Sequence, residues 1–492
     1  MKVLLLAPPF YRLIGLYNRY FPYGLLAVAT AVRRAGHSLL VHDADFNDRP
    51  TSADFYGMAD RYPEYLAALR PGAHPAWPEL DRVVRGYAPD VVGIQAYTDF
   101  FASTLRTAEI CRAAAPGARI VLGGPHVRAR RDEVFELCPE ADFLVRGEGE
   151  VTFLELLSGL EKGDPSPDTV EGLSWRDGNA WRHNPDRLPT PECLDADGPD
   201  RSLLSRHAEY TSEDMGLVMT SRGCPYNCGF CATETRTVRN RPLEDVVREI
   251  RAVRDRYGTV QFALKDDSFA VNKKRVAEFC GLLRSAKLKV NWECNTRVNV
   301  VDAELLHLMR RAGCNFVKVG IESGSDRVLE SMNKRITVAG ILEAARTLGR
   351  SGIHWTGYFM MGLPGETRDD VMATLEVLRQ TRPHVGVLGV YQPYPGTALF
   401  EEGIRRGLVK PSMTRGDFFD TLPCHYYKKD PAIQTDTLGP EEFRELEARV
   451  KRTFHRHNKN LLRAARMGAA RARLYLREPG TLLSDLKKFA KY

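Results

Sequence analysis

The chain has 492 residues, of which 43% are hydrophobic and 27% charged. That balance belongs to a folded, water-soluble protein of two or three domains and excludes a disordered chain. The formal net charge of +7 is uneven: Lys451–Tyr492 holds twelve Lys/Arg against two acids, so the rest of the chain is slightly acidic. The basic end reads as a solvated helix covering the preceding domain, and nucleic acid is not expected as a partner. The ten cysteines are too sparse for a disulfide scaffold and suit a reducing, cytoplasmic setting. The first apolar run, Met1–Ala7, is short and is stopped by Pro8 and Pro9, unlike a signal peptide. No stretch approaches the roughly 20 apolar residues of a membrane span.

In chain order, residues 1–150 alternate strands and helices. Val3–Ala7, Leu39–Asp43, Asp90–Tyr97, Ala118–Gly123 and Ala141–Arg146 read as strands. Leu25–Arg34, ending at Gly36, and Ser103–Ala115 read as helices. This alternation predicts a doubly wound parallel sheet whose ligands sit at the carboxyl ends of the strands. Those ends carry Pro8-Pro9-Phe10, Tyr97-Thr98 and Gly123-Gly124-Pro125-His126. Thr98, Gly123 and Gly124 are candidate ligand contacts there. The dinucleotide fingerprint G-x-G-x-x-G is absent after the first strand. Residues 151–210 are irregular and turn-rich and read as a linker, with a small hairpin across Asp177-Gly178.

From residue 211 to about 425 the alternation resumes. Strands are expected at Gly216–Thr220, Val260–Leu264, Val290–Cys294, Phe316–Ile321, Trp355–Met361 and Val385–Tyr391, with a helix between each pair. Six such units predict a partial (β/α)6 barrel, with reactive residues at the carboxyl ends of its strands. Residues 426–492 read as a helical, basic C-terminal region.

The chemistry centres on Ser221–Cys231, where Cys224, Cys228 and Cys231 stand at spacing C-x3-C-x2-C just past the first barrel strand. Three thiolates hold three irons of a cubane iron–sulfur cluster and leave the fourth open. A structural zinc site needs a fourth ligand nearby, and neither Cys nor His occurs between Cys231 and Cys280.

On these residues the chain resembles the radical S-adenosylmethionine (SAM) superfamily. Asp266–Phe269, Gly320–Ser325, Gly362–Thr367 and Tyr394–Thr397 match at the expected places. With the N-terminal sheet, they resemble the subgroup that carries a Rossmann-like, cobalamin-binding-type domain ahead of the barrel. That subgroup includes B12-dependent methylases and the anaerobic magnesium-protoporphyrin cyclase. The resemblance implies a [4Fe–4S] cluster on Cys224, Cys228 and Cys231, and SAM chelated to the open iron. It places Phe230 near the adenine, Glu322 and Ser323 near the methionyl or ribose part, Gly362 and Pro364 at adenine by backbone, and Arg297 on the SAM carboxylate. Asp267, Tyr391 and Tyr394 are the expected substrate-facing residues, with Asp266, Glu293 and Gln392 also at strand ends. Cobalamin is implied at Thr98, Gly123 and Gly124, although D-x-H-x-x-G, whose histidine ligates cobalt, is absent. The implied reaction is methylation of an unactivated carbon in a small-molecule biosynthetic substrate, driven by an external one-electron donor (flavodoxin, ferredoxin or a dedicated reductase). The competing expectations are a cobalamin-independent radical dehydratase (aminoglycoside-type deoxygenation), cyclase or rearranging enzyme with a vacant cobalamin-like domain, and a non-catalytic iron–sulfur or nucleic-acid-binding protein using the basic tail.

Overall fold

The computed structural model describes residues 1–17, 20–47, 58–163, 167–178, 180–190, 197–233, 235–430, 435–459, 465, 468–469, 471–477 and 479–491. The chain divides into two compact units. The first holds the described residues up to Thr211 together with Pro411–Tyr427, and the second holds Ser212–Lys410 and the described residues from Lys428 onward.

The first unit is built on β1 (Lys2–Ala7), β2 (Ser38–Asp43), β3 (Val91–Gln95), β4 (Arg119–Gly123), β5 (Phe143–Val145), β6 (Leu173–Asp177) and β7 (Ala180–His183), in the order β2-β1-β3-β4-β5-β6-β7. The first five pair in parallel. Their near-continuous apolar character follows, because helices cover both faces of such a sheet. Val3, Leu4, Val91, Val92, Ile120 and Leu144 are fully buried. The strand order reverses between β1 and β3, which is where ligands of doubly wound sheets bind. Besides the expected helices, Tyr62–Ala68 and Ala76–Tyr87 lie between β2 and β3.

Residues 151–210 depart from the expected linker. Gly149–Lys162 is a helix, and the hairpin across Asp177-Gly178 forms and joins β5 antiparallel through β6. Stacking of Trp181 on Phe135, with ring centroids 4.7 Å apart, fixes the hairpin against the helix Arg131–Leu137. Farther on, Leu204 bridges to Val41 at the opposite edge, and Tyr210 Oη donates to Asp43 Oδ2 at 2.5 Å. The turn-rich residues 164–166 and 195–196, and Cys193, lie outside the described residues.

Pro411–Tyr427, expected with the barrel and the C-terminal region, instead packs within the first unit. Phe418 sits 5.1 Å from the Phe101 ring, and Tyr427 Oη donates to Glu133 Oε1 at 2.7 Å. Burial of these large rings outweighs their position in the chain.

The second unit contains β8 (Leu217–Val218), the short ribbon β9 (Ser221–Arg222) with β10 (Arg239–Asn240), then β11 (Gln261–Leu264), β12 (Asn291–Arg297), β13 (Cys314–Glu322), β14 (His354–Met361) and β15 (Val385–Val390). Six of these form one parallel sheet in chain order, β8 to β15, with a helix after each of the inner strands. That is the architecture of a partial (β/α)6 barrel. Gly258 and Gly352 end two of the helices in left-handed conformations, as C-caps prefer. The helix Pro440–Asn458 buries Phe443, Leu446, Val450 and Phe454, the spacing of one helical face. Beyond it, Ala472–Arg477 and Pro479–Lys491 are helical. Among the described residues, no helix is long and apolar enough to cross a membrane.

Candidate active site

The strand end that leads into the cysteines is pinned by Asp266, which follows β11. Its buried carboxylate accepts from Thr220 N at 2.6 Å, Thr220 Oγ1 at 2.5 Å and Ser221 Oγ at 2.6 Å. Burial raises its pKa, and these donors oppose the rise. Asp266 therefore holds backbone in place, where the sequence had suggested substrate contact.

The cysteine loop leaves and returns through the antiparallel pair β9–β10. Gly223 opens it at φ +94°, and a Cβ there would stand 2.3 Å from Thr237 O. Only glycine fits such a turn. Cys224 N donates to Thr235 O at 3.0 Å, and Gly229 N to Met332 O at 2.8 Å. Asn333 Nδ2 donates to Asn227 O at 2.7 Å. Cys228 is buried and Cys224 and Cys231 are partly exposed. Burial, with Asp267 and Cys231 nearby, raises the Cys224 thiol pKa. Cys231 Sγ lies 2.9 Å from Thr233 Oγ1. Among the described residues, no group of three His, Cys, Asp or Glu is gathered tightly enough to hold a single ion. Fit to a cluster therefore rests on the donor set: three thiols on one braced loop beside a buried cation.

That cation is Arg297, at the end of β12. Its Nη1 donates to Cys228 Sγ at 3.0 Å and its Nε to Asn299 Oδ1 at 3.3 Å. Its Nη2 donates to Lys334 O, and the guanidinium carbon lies 3.8 Å from the Tyr226 ring centroid. The structure thus places Arg297 against the cysteine loop. Lys334 Nζ pairs with Glu322 Oε1 at 2.6 Å and lies 5.5 Å from the Phe230 ring. Glu322 adopts a left-handed φ of +67°, a strained conformation for a side chain with a Cβ. Ser323 is fully buried, with Oγ 3.3 Å from Thr374 Oγ1.

At the end of β14 the chain turns through Gly362 at φ +83°. Glu366 folds back, and its Oε2 accepts from Gly362 N at 2.6 Å and Leu363 N at 3.2 Å. Pro364 is partly exposed in this turn. Burial raises the Glu366 pKa to about 7. Asp267 is exposed beside the cysteine loop. Tyr391 is buried and Tyr394 partly exposed.

Among the described residues, four buried side-chain atoms at barrel strand ends lack a partner: Ser268 Oγ, Thr296 Oγ1, Glu366 Oε1 and Tyr391 Oη. Orphaned polar groups are costly unless something satisfies them. Their concentration at the carboxyl ends of β11, β12, β14 and β15 fits a polar ligand such as SAM or substrate. Sequence reading had singled out Tyr391 among them, but not Ser268, Thr296 or the Glu366 carboxyl.

In the first unit, Thr98 Oγ1 lies 3.0 Å from His126 Nδ1. His126 is fully buried against Phe101, with ring centroids 4.1 Å apart. Burial lowers its pKa to about 3, so the imidazole is neutral, and its Nε2 has no partner. Gly124, at φ +129°, lets Ala96 O approach to 2.5 Å of where a Cβ would be. This joins the ends of β3 and β4. The sequence showed His126 in a glycine-rich turn but gave no sign of its burial.

A radical SAM superfamily model matches residues 218–378, and a B12 binding domain model matches residues 13–157. An uncharacterised methyltransferase of Pyrococcus horikoshii is 29% identical over 472 residues, covering 94% of each chain. The anaerobic magnesium-protoporphyrin IX monomethyl ester cyclase of Cereibacter sphaeroides is 31% identical over 375 residues, 71% of this chain and 61% of that one. Among solved structures, the radical SAM methyltransferase TsrM of Kitasatospora setae aligns at a TM-score of 0.66 with 18% identity, over 84% of this chain and 78% of that one. The same protein with cobalamin and a [4Fe–4S] cluster bound aligns at 0.63. The fold and the cysteine loop define a radical SAM enzyme. The chain belongs to the radical SAM superfamily, in the subgroup that carries a B12-binding domain ahead of the barrel.

Proposed function

We propose that the protein is a cobalamin-dependent radical SAM methyltransferase acting on an unactivated carbon of a small-molecule biosynthetic substrate. The observation that carries this reading is the B12-binding match over residues 13–157 ahead of the radical SAM match over 218–378 in one chain. It is supported by a methyltransferase-named relative that aligns over 94% of the chain. When bound, a [4Fe–4S] cluster and SAM supply a 5′-deoxyadenosyl radical, and cobalamin supplies the methyl group.

Cys224, Cys228 and Cys231 would hold the cluster, which would supply the electron that cleaves SAM. Phe230 offers its ring to adenine. Gly362 and Pro364 offer backbone to it, chiefly carbonyls, because Glu366 already occupies the Gly362 and Leu363 amides. Glu322 and Ser323 line the methionyl or ribose side, with Glu322 held in place by Lys334. Asp267, Tyr391 and Tyr394 face substrate, and the unpartnered Tyr391 Oη is available to donate or accept there. Thr98, Gly123 and Gly124, in the first unit, would line the cobalamin site. Thr98 acts there through His126, whose orphaned Nε2 is the buried polar atom a ligand would satisfy. A low-potential flavodoxin, ferredoxin or dedicated reductase supplies the electron.

The test is anaerobic reconstitution of the full chain with iron, sulfide and hydroxocobalamin. Corrinoid absorbance surviving desalting, and 5′-deoxyadenosine formed from SAM under a chemical reductant, are expected. A Cys228→Ala variant should lose bound iron and 5′-deoxyadenosine together. Formation of 5′-deoxyadenosine without any corrinoid affinity would overturn the methylase and leave a cobalamin-independent dehydratase, cyclase or rearranging enzyme.

A further inference from the structure

We infer that Arg297 is a positioning residue for the iron–sulfur cluster and sets its reduction potential, instead of binding the SAM carboxylate. The inference rests on the cluster reading of the cysteine loop. Arg297 is 6% exposed, and each of its three guanidinium nitrogens is already engaged. Nη1 reaches Cys228 Sγ at 3.0 Å, Nε reaches Asn299 Oδ1 at 3.3 Å, and Nη2 reaches Lys334 O. One face stacks on Tyr226 at 3.8 Å, and Asn299 Nδ2 donates to the Tyr226 hydroxyl at 3.2 Å, closing the cage. A fork aimed at a carboxylate needs two parallel donors free. Here each nitrogen already gives an N–H to a thiol, a carbonyl or an amide oxygen, and burial leaves little access to the one N–H remaining on each Nη.

A sulfur that accepts a hydrogen bond from a buried cation carries more charge at lower energy. Reduction adds one electron to the cluster from an external low-potential donor, with no bond made or broken. Part of that charge falls on the ligating sulfurs, so Arg297 favours the reduced state and raises the potential. Hydrogen bonding to the sulfurs and local charge are among the factors that set such potentials. The neighbouring Lys334 is paired with Glu322, whereas among the described residues Arg297 forms no ion pair with a carboxylate and turns its charge to Cys228.

The experiment is an EPR-monitored redox titration of the reconstituted full chain, without SAM, for wild type, Arg297→Gln and Arg297→Lys, each checked for iron content. Arg297→Gln is expected to lose at least tenfold in the one-electron reduction equilibrium, a fall of about 59 mV. Arg297→Lys, which keeps the charge and loses the fork, should fall between. If Arg297→Gln fails to assemble a cluster, the shift in Arg297→Lys decides. Midpoints equal to wild type in the variants that assemble, with SAM binding weakened tenfold or more, would overturn the inference and return Arg297 to the SAM site. A wild-type chain that takes up no iron would instead refute the cluster reading itself.

Discussion

Glu366 offers a test of the site's electrostatics that needs neither cofactor nor substrate. It is 1% exposed, with one oxygen accepting two backbone amides and the other unpartnered. Burial raises its pKa from 4.5 to about 7, with Asp370 adding to the rise and the two amides opposing it. A folded-state pKa above the unfolded value means that folding favours the neutral acid. That contribution is complete below about pH 4.5 and is lost as pH rises through about 7. At 1.36 kcal/mol per pKa unit, the loss is on the order of 3 kcal/mol by pH 8. Glutamine keeps a carbonyl oxygen for the two amides and never ionises. Wild type and Glu366→Gln should therefore melt close together near pH 5, diverge as pH rises from about 5 to 7, and stay apart above that, with Gln the more stable. A kcal/mol shifts Tm by about 2–4 °C in a unit of 150–250 residues, so several degrees are expected. Calorimetry of the cofactor-free chain from pH 5 to 9 measures it. Glu366→Ala should be destabilised at every pH, by about 1–3 kcal/mol for each amide left unpaired. Parallel pH curves for wild type and Glu366→Gln, or a Gln variant less stable at pH 8, would refute the assignment of a buried, neutral-preferring carboxyl.

Two further outcomes follow from the backbone. Gly124→Ala places a Cβ 2.5 Å from Ala96 O at φ +129°, which costs about 2–5 kcal/mol in strain and overpacking. The first unit should melt earlier and hydroxocobalamin affinity should drop, both read on the full chain. Asp266→Asn turns an amide donor toward Thr220 and Ser221, which already donate to this position. It should destabilise by about 2–4 kcal/mol in urea titration and reduce the iron held per chain after reconstitution.

The alternation of strands and helices was legible because parallel strands buried on both faces are apolar throughout, and β1 and β4 show it plainly. The cysteine spacing was legible because it is local. Asp177-Gly178 marked its hairpin for the same reason. The destination of that hairpin was not legible, since nothing near Trp181 says that it will stack on Phe135. Phe418, Tyr426 and Tyr427 follow the last barrel strand in the chain, yet their rings are buried in the first unit, hundreds of residues away in sequence. In the site, strand-end residues could be named from the six-unit pattern, but their engagements could not. Asp266 and Asp267 are adjacent and chemically alike. One is consumed by three donors from the neighbouring strand end, and the other is exposed. Lys334 carried no signal at all, because its partners Glu322 and Arg297 come from two different strands.

The turn that contains Lys334 gives the cysteine loop much of its form. Met332, Asn333 and Lys334 supply a carbonyl to Gly229, an amide to Asn227 and a carbonyl to Arg297. Asn333, Arg335 and Glu322 all hold left-handed φ angles between +52° and +67°, each about 1 kcal/mol or more above a relaxed backbone. Strain of that kind persists only where surrounding contacts over-determine it. Here the contacts converge on the segment that carries Cys224, Cys228 and Cys231. A loop of three thiols left to itself would pay a large ordering entropy at the moment a cluster entered. Ordering it in advance, with carbonyls and amides from a distant turn, moves that entropy into folding. The same bracing explains why the cation beside Cys228 is an arginine. Its planar fork ties a sulfur, a carbonyl and an amide oxygen into one rigid unit, which a single lysine ammonium on a flexible stem does not reproduce.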